Sequence, residues 1–499
     1  MLKANKILIC FLALVMIATA CEEPEQEIFD GLTPEEVASS DNPFLIDVLK
    51  ASAYSRIIGT WGGHNSLWSL HEVSSDEMVI AHKGADWEDG GQWIRVHQHN
   101  FGPTEESIGN SWAYLYTAIG EINLLLQQYP DVASLTAELR VLRAMVYLWL
   151  IDAYGNVPII LETDTDPTPP TNSRAEVFSF IESSVVDNLA ALPSTNAKTT
   201  FNQMSARALL AKLYLNAEVY TGTARWSDAE AQIDAIINSG NYSLESNYFA
   251  SFATNNGGST ENILTIPYDE NNAGGFNLAQ MTGHYLTQRT FNLQEQPWNG
   301  YASLEAFYNS YEDNDSRKLS FLVGPQFASD GTRLEDISAE DNDPDGAPLT
   351  FTPEINELRP NSLRQAGARV GKFEFQSGAG QSLSNDFPIF RYGDFLLMKA
   401  EVRMRQGDDA GALDYVNQVR QRAGADPLTV IDADIMLAER GREVFAEGWR
   451  RSDLIRFGKF NDAWWEKPAS DPNRNLFPIP QGQIDVNPDL VQNPGYTGG

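Results

Sequence analysis

The sequence predicts a mainly α-helical protein built from tetratricopeptide-like helical hairpins, with long irregular loop insertions and little β-structure. Three blocks of the 499-residue chain repeat apolar residues at helical spacing. Short Gly/Asp turns separate helices within a block, and hairpins of similar length recur, as in stacked repeat proteins. The segments between the blocks lack helical periodicity but contain many aromatic residues.

The first twenty residues have the layout of a secretory signal peptide. Lys3 and Lys6 precede an uncharged apolar run that extends from Ile7 to Ala20. This run is shorter than the roughly 20 residues that a membrane-spanning helix requires. We therefore exclude residues 1–20 from the fold.

Cys21 follows three small residues, and this pattern resembles the lipobox of a bacterial lipoprotein, in which the cysteine is lipidated. Cys10 would leave with the signal peptide, so no intramolecular disulfide is expected. A simple signal peptide cut near Ala20, with a free thiol, is the alternative. Residues 21–40 begin with an acidic run that resembles a surface-sorting signal, or else forms a plain linker. Residues 41–499 are predicted to form a single α-rich domain.

The first two helical blocks cover residues 111–154 and 174–238. Pro130 divides the first block into two helices, and Gly155 ends the second of these. In the second block, Ser205 is the predicted N-cap of a helix in which small and large residues alternate. That alternation favours close pairing of helices.

The third helical block covers residues 391–460. Asp408 or Asp409 is predicted to cap a helix that ends at Gly424, which gives a helix–turn–helix hairpin. Three tryptophans lie in the helical stripes and are expected in the core: Trp112, Trp149 and Trp449.

Two long segments, about 61–102 and 242–385, separate the helical blocks. They are rich in Gly, Asn, Gln, Trp and His but are not of low complexity, because aromatic residues recur along both. Long ordered loops on a rigid scaffold commonly carry function. We therefore expect the functional site on these insertions.

The charge of the chain excludes some classes of partner. Lys and Arg number 35 and Asp and Glu number 68, so the formal net charge is −33. Such a surface repels nucleic-acid phosphates and anionic lipid headgroups, which bind through Lys and Arg. The apolar fraction of 42% is nevertheless sufficient for a packed core.

Sequence signatures of catalysis and of cofactor binding are weak. The chain has no G-x-S-x-G, H-E-x-x-H or C-x-x-C sequence. The run Gly367–Lys372 is one residue short of a phosphate-binding loop, and Phe373 stands where a Mg²⁺-binding hydroxyl is needed. His97 and His99 would face one way on a strand and could bind a metal, but a loop or sugar-contacting role fits them better. No cofactor is predicted, except that one acidic run resembles half of a calcium loop: Asp341, Asp343 and Asp345.

Aromatic residues on the insertions point to carbohydrate binding. A flat indole or phenol ring covers the apolar C–H face of a sugar, while neighbouring polar side chains bind its hydroxyls. Two loop clusters have this composition, one around residues 86–100 and one around residues 284–301. The alternative is that these rings anchor the loops on the helices. The predicted glycan-binding residues are Asp86, Trp87, Trp93, Arg95, His97, Tyr285, Trp298 and Tyr301.

Several further motifs resemble one protein family. They are Tyr116-Thr117-Ala118-Ile119, Asp152-Ala153-Tyr154-Gly155-Asn156-Val157-Pro158, Phe390-Arg391-Tyr392-Gly393-Asp394, Phe445-Ala446-Glu447-Gly448 and Phe477-Pro478-Ile479-Pro480. Together with the lipoprotein-like start, these motifs resemble the SusD/RagB family of outer-membrane, glycan-binding lipoproteins. A charged set in the same region is interpreted as a structural network rather than a catalytic one: Arg440, Glu443, Glu447, Arg450 and Asp453.

The resemblance implies a function without catalysis. It implies a lipoprotein exposed at the cell surface and anchored in the outer membrane, which binds an oligosaccharide and delivers it to a SusC-like TonB-dependent barrel. A neutral glucan, such as laminarin or an α-glucan, is favoured because an acidic protein repels anionic sugars. A structural lid or adaptor of the transporter, or a peptide-capture protein, remains the alternative. The resemblance fixes no ligand residue, so the two aromatic clusters are predicted from composition alone.

Overall fold

The computed structural model describes residues 43–84, 86–195, 197–336 and 348–496. The contacts within the chain separate the residues up to Ile46 from one unit that runs from Asp47 to the C-terminus. The predicted signal peptide, the lipidation site at Cys21 and the tether lie outside the described residues. The calcium-loop candidates Asp341, Asp343 and Asp345 also lie outside them. None of the described helices is both long and apolar enough to cross a membrane.

Helices account for most of the regular structure. The first nine are α1 (Pro43–Ser55), α2 (Ile58–Trp61), α3 (Leu67–Val73), α4 (Gln92–His97), α5 (Glu106–Gln128), α6 (Ala133–Ala153), α7 (Arg174–Val186), α8 (Gln203–Leu215) and α9 (Ala217–Thr221). The next nine are α10 (Trp226–Asn238), α11 (Leu278–Thr282), α12 (Gln288–Phe291), α13 (Glu305–Tyr308), α14 (Tyr392–Arg405), α15 (Asp409–Ala423), α16 (Ala433–Val444), α17 (Arg450–Arg456) and α18 (Gln481–Val486).

The strands are short and form antiparallel pairs. They are β1 (Met78–Ile80), β2 (Asn262–Ile266), β3 (Tyr301–Ser303), β4 (Phe321–Leu322), β5 (Gly324–Pro325), β6 (Thr350–Phe351), β7 (Arg369–Val370) and β8 (Phe387–Arg391). The pairs are β1 with β3, β2 with β8, β4 with β7, and β5 with β6. The predicted fold class, mainly α with little β-structure, is therefore confirmed.

Helical hairpins form the scaffold, as the periodicity predicts. Helix α5 packs on α6, α8 on α10, and α14 on α15. Pro130 lies between α5 and α6, and Gly424 adopts a positive φ of 74° immediately after α15. Asp408 caps α15 by accepting a hydrogen bond from the amide of Gly411. The tryptophans predicted in the core are all buried: Trp112, Trp149 and Trp449.

The start of α8 differs from the prediction. The N-cap is Asn202, whose side chain accepts hydrogen bonds from the amides of Met204 and Ser205. The Ser205 hydroxyl in turn accepts from the amide of Asn202, at 2.8 Å. Asn and Ser are both good capping residues, and the reciprocal pair forms a capping box. Ser205 is therefore the third helical residue and not the cap.

The two insertions contain short regular elements that periodicity did not predict. The first, about residues 61–102, includes α3, β1 and α4, and the second includes α11, α12 and α13. None of these helices exceeds seven residues, so each offers at most two turns of apolar spacing. Pairing of β2 with β8 fastens the second insertion to the start of α14.

A buried charge network lies where the insertions meet the third helical block. Glu443 on α16 binds three arginines: Arg317 at 3.0 Å, Arg391 at 2.6 Å and Arg422 at 2.6 Å. Burial alone would raise the pKa of Glu443, but these arginines hold it well below its usual value. Arg440 also pairs with Asp453, and Arg450 with Asp76, each at 2.7 Å, so the predicted structural network is confirmed.

The same network fixes the turn between α16 and α17. Glu447 in this turn accepts hydrogen bonds from Lys372 at 2.6 Å and from Arg391 at 2.7 Å. The carbonyls of Ala446 and Gly448 contact Trp68 and His71 on α3. Lys372, the lysine of the phosphate-loop-like run, is therefore a buried structural cation.

Two buried carboxyl groups, which interact with each other, contact this turn. Glu72 on α3 accepts from the amide of Gly448 at 2.7 Å, and Glu77 accepts from the amide of Ala446 at 3.3 Å. Burial raises the pKa of Glu72 to about 7, and burial together with the charge of Glu72 raises that of Glu77 well above its usual value. Both carboxyl groups therefore favour the protonated form more than an exposed glutamate does.

Replacing the charge of Glu443 should destabilise the protein strongly. Glu443→Gln leaves three buried arginines short of a counter-charge, so we expect a loss of about 3–5 kcal/mol in the free energy of unfolding. Asp434→Asn is the control, because Asp434 pairs with Lys459 at the surface and should contribute less than about 1 kcal/mol. Urea denaturation followed by circular dichroism measures both. Equal losses in the two variants would contradict the structural role of the network.

The carboxyl pair should make stability depend on pH. A carboxyl whose pKa is raised in the folded state stabilises the fold at low pH, and this contribution is lost as the pH rises toward about 7. The amide oxygen of Gln at position 72 can still accept the hydrogen bond from the Gly448 amide. Its NH₂ group can donate to Glu77 at any pH, whereas Glu72 must first be protonated. The change in Tm that Glu72→Gln causes should therefore be more favourable at about pH 8 than at about pH 5, by about 2 °C or more. The exposed Glu466→Gln should change Tm equally at both pH values, and equal changes in Glu72→Gln would contradict the raised pKa values of the two carboxyl groups.

Candidate functional site

The two predicted aromatic clusters meet because β1 and β3 are antiparallel partners. Ile80, at the end of β1, pairs with Tyr301, at the start of β3. The chain that follows β1 and the chain that precedes β3 therefore lie at the same end of this pair. Trp87 belongs to the first segment and Trp298 to the second, and the indole N–H of Trp87 donates to the carbonyl of Trp298.

A shallow recess of about 420 Å³ opens at this junction. The indole rings of Trp87 and Trp298 are both partly exposed, with centroids 6.5 Å apart and planes inclined by 48°. The exposed carboxylates of Asp86 and Asp89 and the imidazole of His64 complete the lining. Aromatic faces and polar side chains thus converge on one small surface.

Buried rings support the recess from below. Tyr301 and Trp93 are fully buried, and the Tyr301 ring lies perpendicular to Trp87 at a centroid distance of 5.5 Å. The indole N–H of Trp93 donates to Asp89 at 3.0 Å. The prediction placed Trp93 and Tyr301 at a ligand-binding surface, but they contribute no surface because packing beneath the exposed rings encloses them.

Three other predicted residues do not line the recess. Arg95 binds both oxygens of Glu105, at 2.6 and 2.7 Å, and donates to the carbonyl of Gly90 at 2.8 Å. His97 ends α4 rather than lying on a strand; it is buried against the carbonyl of Trp465, and burial lowers its pKa to about 4. Tyr285 packs its ring on His284, 3.9 Å between centroids.

Among the described residues, no group of three or more His, Cys, Asp or Glu side chains is arranged to hold a metal ion. His97 and His99 bind the carbonyls of Trp465 and Ser74 instead. The calcium-loop run at Asp341 stays outside the described residues and stays a prediction.

His64 and Asp89 also line the recess, although neither is among the individually predicted glycan-binding residues. Their side chains approach to 3.5 Å, and Asp89 has a pKa below its usual value because it accepts hydrogen bonds from His64 and Trp93, which outweighs its partial burial. Asp89 lies inside the first cluster, two positions after Trp87 in sequence. His64 follows two glycines, which indicate a close approach of the backbone, but it does not belong to a tryptophan-rich cluster.

The backbone at Trp87 and the small residue Gly300 shape the ring pair. Trp87 adopts a positive φ of 61°, which is uncommon for a bulky residue and typical of functional sites. The Trp87 ring lies directly on Gly300, where an added Cβ would be only 2.3 Å from its Cε2 atom. The ring can occupy this position only because residue 300 has no side chain.

Solved structures share this fold. A laminarin-binding SusD-like protein superposes with a TM-score of 0.73 at 22% identity, covering 92% of this chain and 100% of that chain. The surface glycan-binding protein A of Bacteroides thetaiotaomicron, solved in complex with laminarihexaose, gives a TM-score of 0.69 at 22% identity, covering 90% and 99%. At this identity the likeness shows the fold alone.

Two family models together match most of the chain. The model of the SusD family matches residues 237–496, and a model described as starch-binding and associating with the outer membrane matches residues 46–215. The starch-binding protein SusD of Bacteroides thetaiotaomicron is 25% identical, covering 88% of this chain and 86% of that protein. The SusD-like protein P38 of Formosa agariphila is 23% identical, covering 99% and 100%. The predicted resemblance is thus confirmed, and the chain belongs to the SusD family.

Proposed function

We propose that this protein is a non-enzymatic, cell-surface lipoprotein that binds a neutral glucan in the recess between Trp87 and Trp298. The observation that carries the proposal is the pair of partly exposed indoles, 6.5 Å apart, brought together from two distant segments. A purely structural lid has no need to hold two tryptophans at the surface. The arrangement therefore favours glycan recognition over a lid or adaptor role without recognition.

The lining supplies the two kinds of contact that a sugar needs. The indole faces of Trp87 and Trp298 cover the apolar C–H faces of pyranose rings, and inclined planes suit a chain that curves from one unit to the next. The carboxylates of Asp86 and Asp89 accept hydrogen bonds from hydroxyl groups, and His64 adds a nitrogen at the same rim. Such mixed sites combine apolar contact with a few orienting polar groups.

The charges at the recess favour a neutral ligand and a role without hydrolysis. Two carboxylates within a chain of net charge −33 repel anionic glycans. Glycosidases require a carboxylic acid with a raised pKa, whereas the pKa of Asp89 is lowered. Relatives described as binding starch and laminarin, which are neutral glucans, support the same ligand class.

Membership in the SusD family supports the remaining parts of the proposal. Lipidation at Cys21 would anchor the protein in the outer membrane, in agreement with the family model described as associating with that membrane. A SusC-like TonB-dependent barrel would receive the captured oligosaccharide. Capture of peptides is less well supported, because a peptide gains little from two exposed indoles without a groove that pairs with its backbone.

Removing either exposed indole should weaken glucan binding. We expect Trp87→Ala and Trp298→Ala each to cost about 2 kcal/mol, roughly thirtyfold in Kd. Affinity electrophoresis of the chain that begins at Glu22, through gels containing laminarin or amylopectin, measures the retardation. Trp226→Ala is the matched control, because Trp226 is also partly buried but packs under Arg405 on the helical scaffold. Unchanged retardation of both recess variants would contradict glucan binding at the recess.

Filling the space at Gly300 should have a similar effect without removing an indole. Gly300→Ala places a Cβ against the Trp87 ring, so the ring must move and we expect at least a tenfold loss of glucan affinity. Gly102→Ala is the control, because a Cβ at that loop position meets no atom within 4 Å. Isothermal titration with laminarin compares the two variants. Unchanged affinity in Gly300→Ala would show that the position of Trp87 does not matter.

A further inference from the structure

Helix α4 exposes a single narrow face to solvent. The helix buries all of its residues except Arg95: Gln92, Trp93, Ile94, Val96 and His97. Arg95 is partly exposed, as are Gly91 directly before the helix and Gln98 directly after it. These three positions are spaced by four and then three residues, which places them in one line along a helix. We call this line the α4 strip, and the rise of an α-helix makes it about 10 Å long.

The α4 strip begins at the recess. Asp89, which lines the recess, lies two residues before Gly91 in the chain. Arg95 donates to the carbonyl of Gly90 at 2.8 Å and also binds both oxygens of Glu105. These bonds use three of the five N–H groups of a guanidinium, and the others donate to no described residue. A ligand that leaves the recess therefore meets backbone at the two glycines and then available donors.

The other end of the α4 strip meets a tight turn. The backbones of Trp464 and Lys467 exchange two hydrogen bonds, at 3.1 and 3.0 Å, so Trp465 and Glu466 form the tip of a two-residue turn. Glu466 adopts the positive φ of 54° that such a turn requires. The side chain of Gln98 donates to the carbonyl of Glu466 at 3.1 Å. The strip and the turn are therefore parts of one continuous surface.

The two adjacent tryptophans of this turn have different surroundings. Trp464 packs on His99, with centroids 5.2 Å apart, and its indole nitrogen is buried. The amine of Lys467 lies 3.9 Å from the centre of the same indole. Trp465 is partly exposed: its carbonyl accepts from His97 at 2.9 Å, whereas its indole N–H donates to no described residue. Trp464 thus anchors the turn, and Trp465 presents a ring at the tip.

This composition repeats that of the recess. An indole at the tip of a turn adds little to the core, but its face and its N–H suit a ligand that is apolar on one side and polar at its edges. Arg95 supplies donors beside it, and the amide of Gln98 supplies both a donor and an acceptor for hydroxyl groups. An exposed ring next to hydrogen-bonding side chains is the combination that favours a sugar at the recess.

We propose that a bound glucan extends from the recess along the α4 strip to Trp465, which acts as a second aromatic contact, so that the protein selects long chains over short oligosaccharides. This inference rests on the proposed function for its ligand and adds a surface outside the recess. The recess by itself, of about 420 Å³, offers the same contacts to a short chain and to a long one. Only a longer chain also reaches the turn.

Isothermal titration with glucans of two lengths tests the extension. The probes are laminaritriose and laminarihexaose, with maltotriose and maltoheptaose in parallel for an α-glucan. In the series that binds, Trp465→Ala should lose about tenfold in affinity for the longer chain and less than about twofold for the trisaccharide. Trp465→Phe, which keeps a ring, should recover most of the loss. Both variants should keep the turn, because His97 and Gln98 bind its backbone carbonyls.

Two comparisons separate the extension from the recess. Trp87→Ala should weaken the binding of both lengths, and Trp226→Ala, on the helical scaffold, should weaken neither. Unchanged affinity of Trp465→Ala for the longer chain would overturn the extension and leave the recess in place. An equal loss for both lengths would also overturn it, because the ring would then act through the fold. A wild-type protein that binds neither series would refute the proposed function, and the extension with it.

Discussion

The structure depends on the compensation of buried arginines by buried carboxylates. Glu443 and Glu447 bind arginines and a lysine from the second insertion, β8 and α15, and thereby fix the turn between α16 and α17. Buried charges are costly unless they are paired, so these segments reach a low free energy only when they meet. The network therefore selects one arrangement of long segments that have little secondary structure of their own.

The recess is connected to this network through α3. Trp68 and His71 bind the carbonyls of the turn. Ser69, which lies between them in sequence, accepts a hydrogen bond from the Tyr301 hydroxyl. Tyr301 in turn supports the ring of Trp87. Buried contacts thus link the partly exposed indoles to the charge network around Glu443. For the proposed glucan site, such support would mean that the surface is formed before the ligand arrives, which reduces the ordering cost of binding.

The candidate recess combines residues that composition predicts with residues that only packing brings to it. Trp87 and Trp298 were selected because tryptophan in a polar, glycine-rich loop is unusual. The same criterion selected Trp93 and Tyr301, which are buried. Composition does not distinguish an aromatic ring that faces solvent from one that packs beneath it. His64 lies far from both aromatic clusters in sequence, and only the folded chain brings it to the recess.

The sequence by itself determined the helical hairpins, their boundaries to within a few residues, the charged set and the family. Those features depend on local spacing, on caps and on side chains that need a counter-charge, all of which can be read along the chain. Tertiary structure alone decided which rings face solvent and which distant segments meet. The pairing of Ile80 with Tyr301 joins residues more than 200 positions apart, and its energy comes from contacts that exist only once both segments are folded.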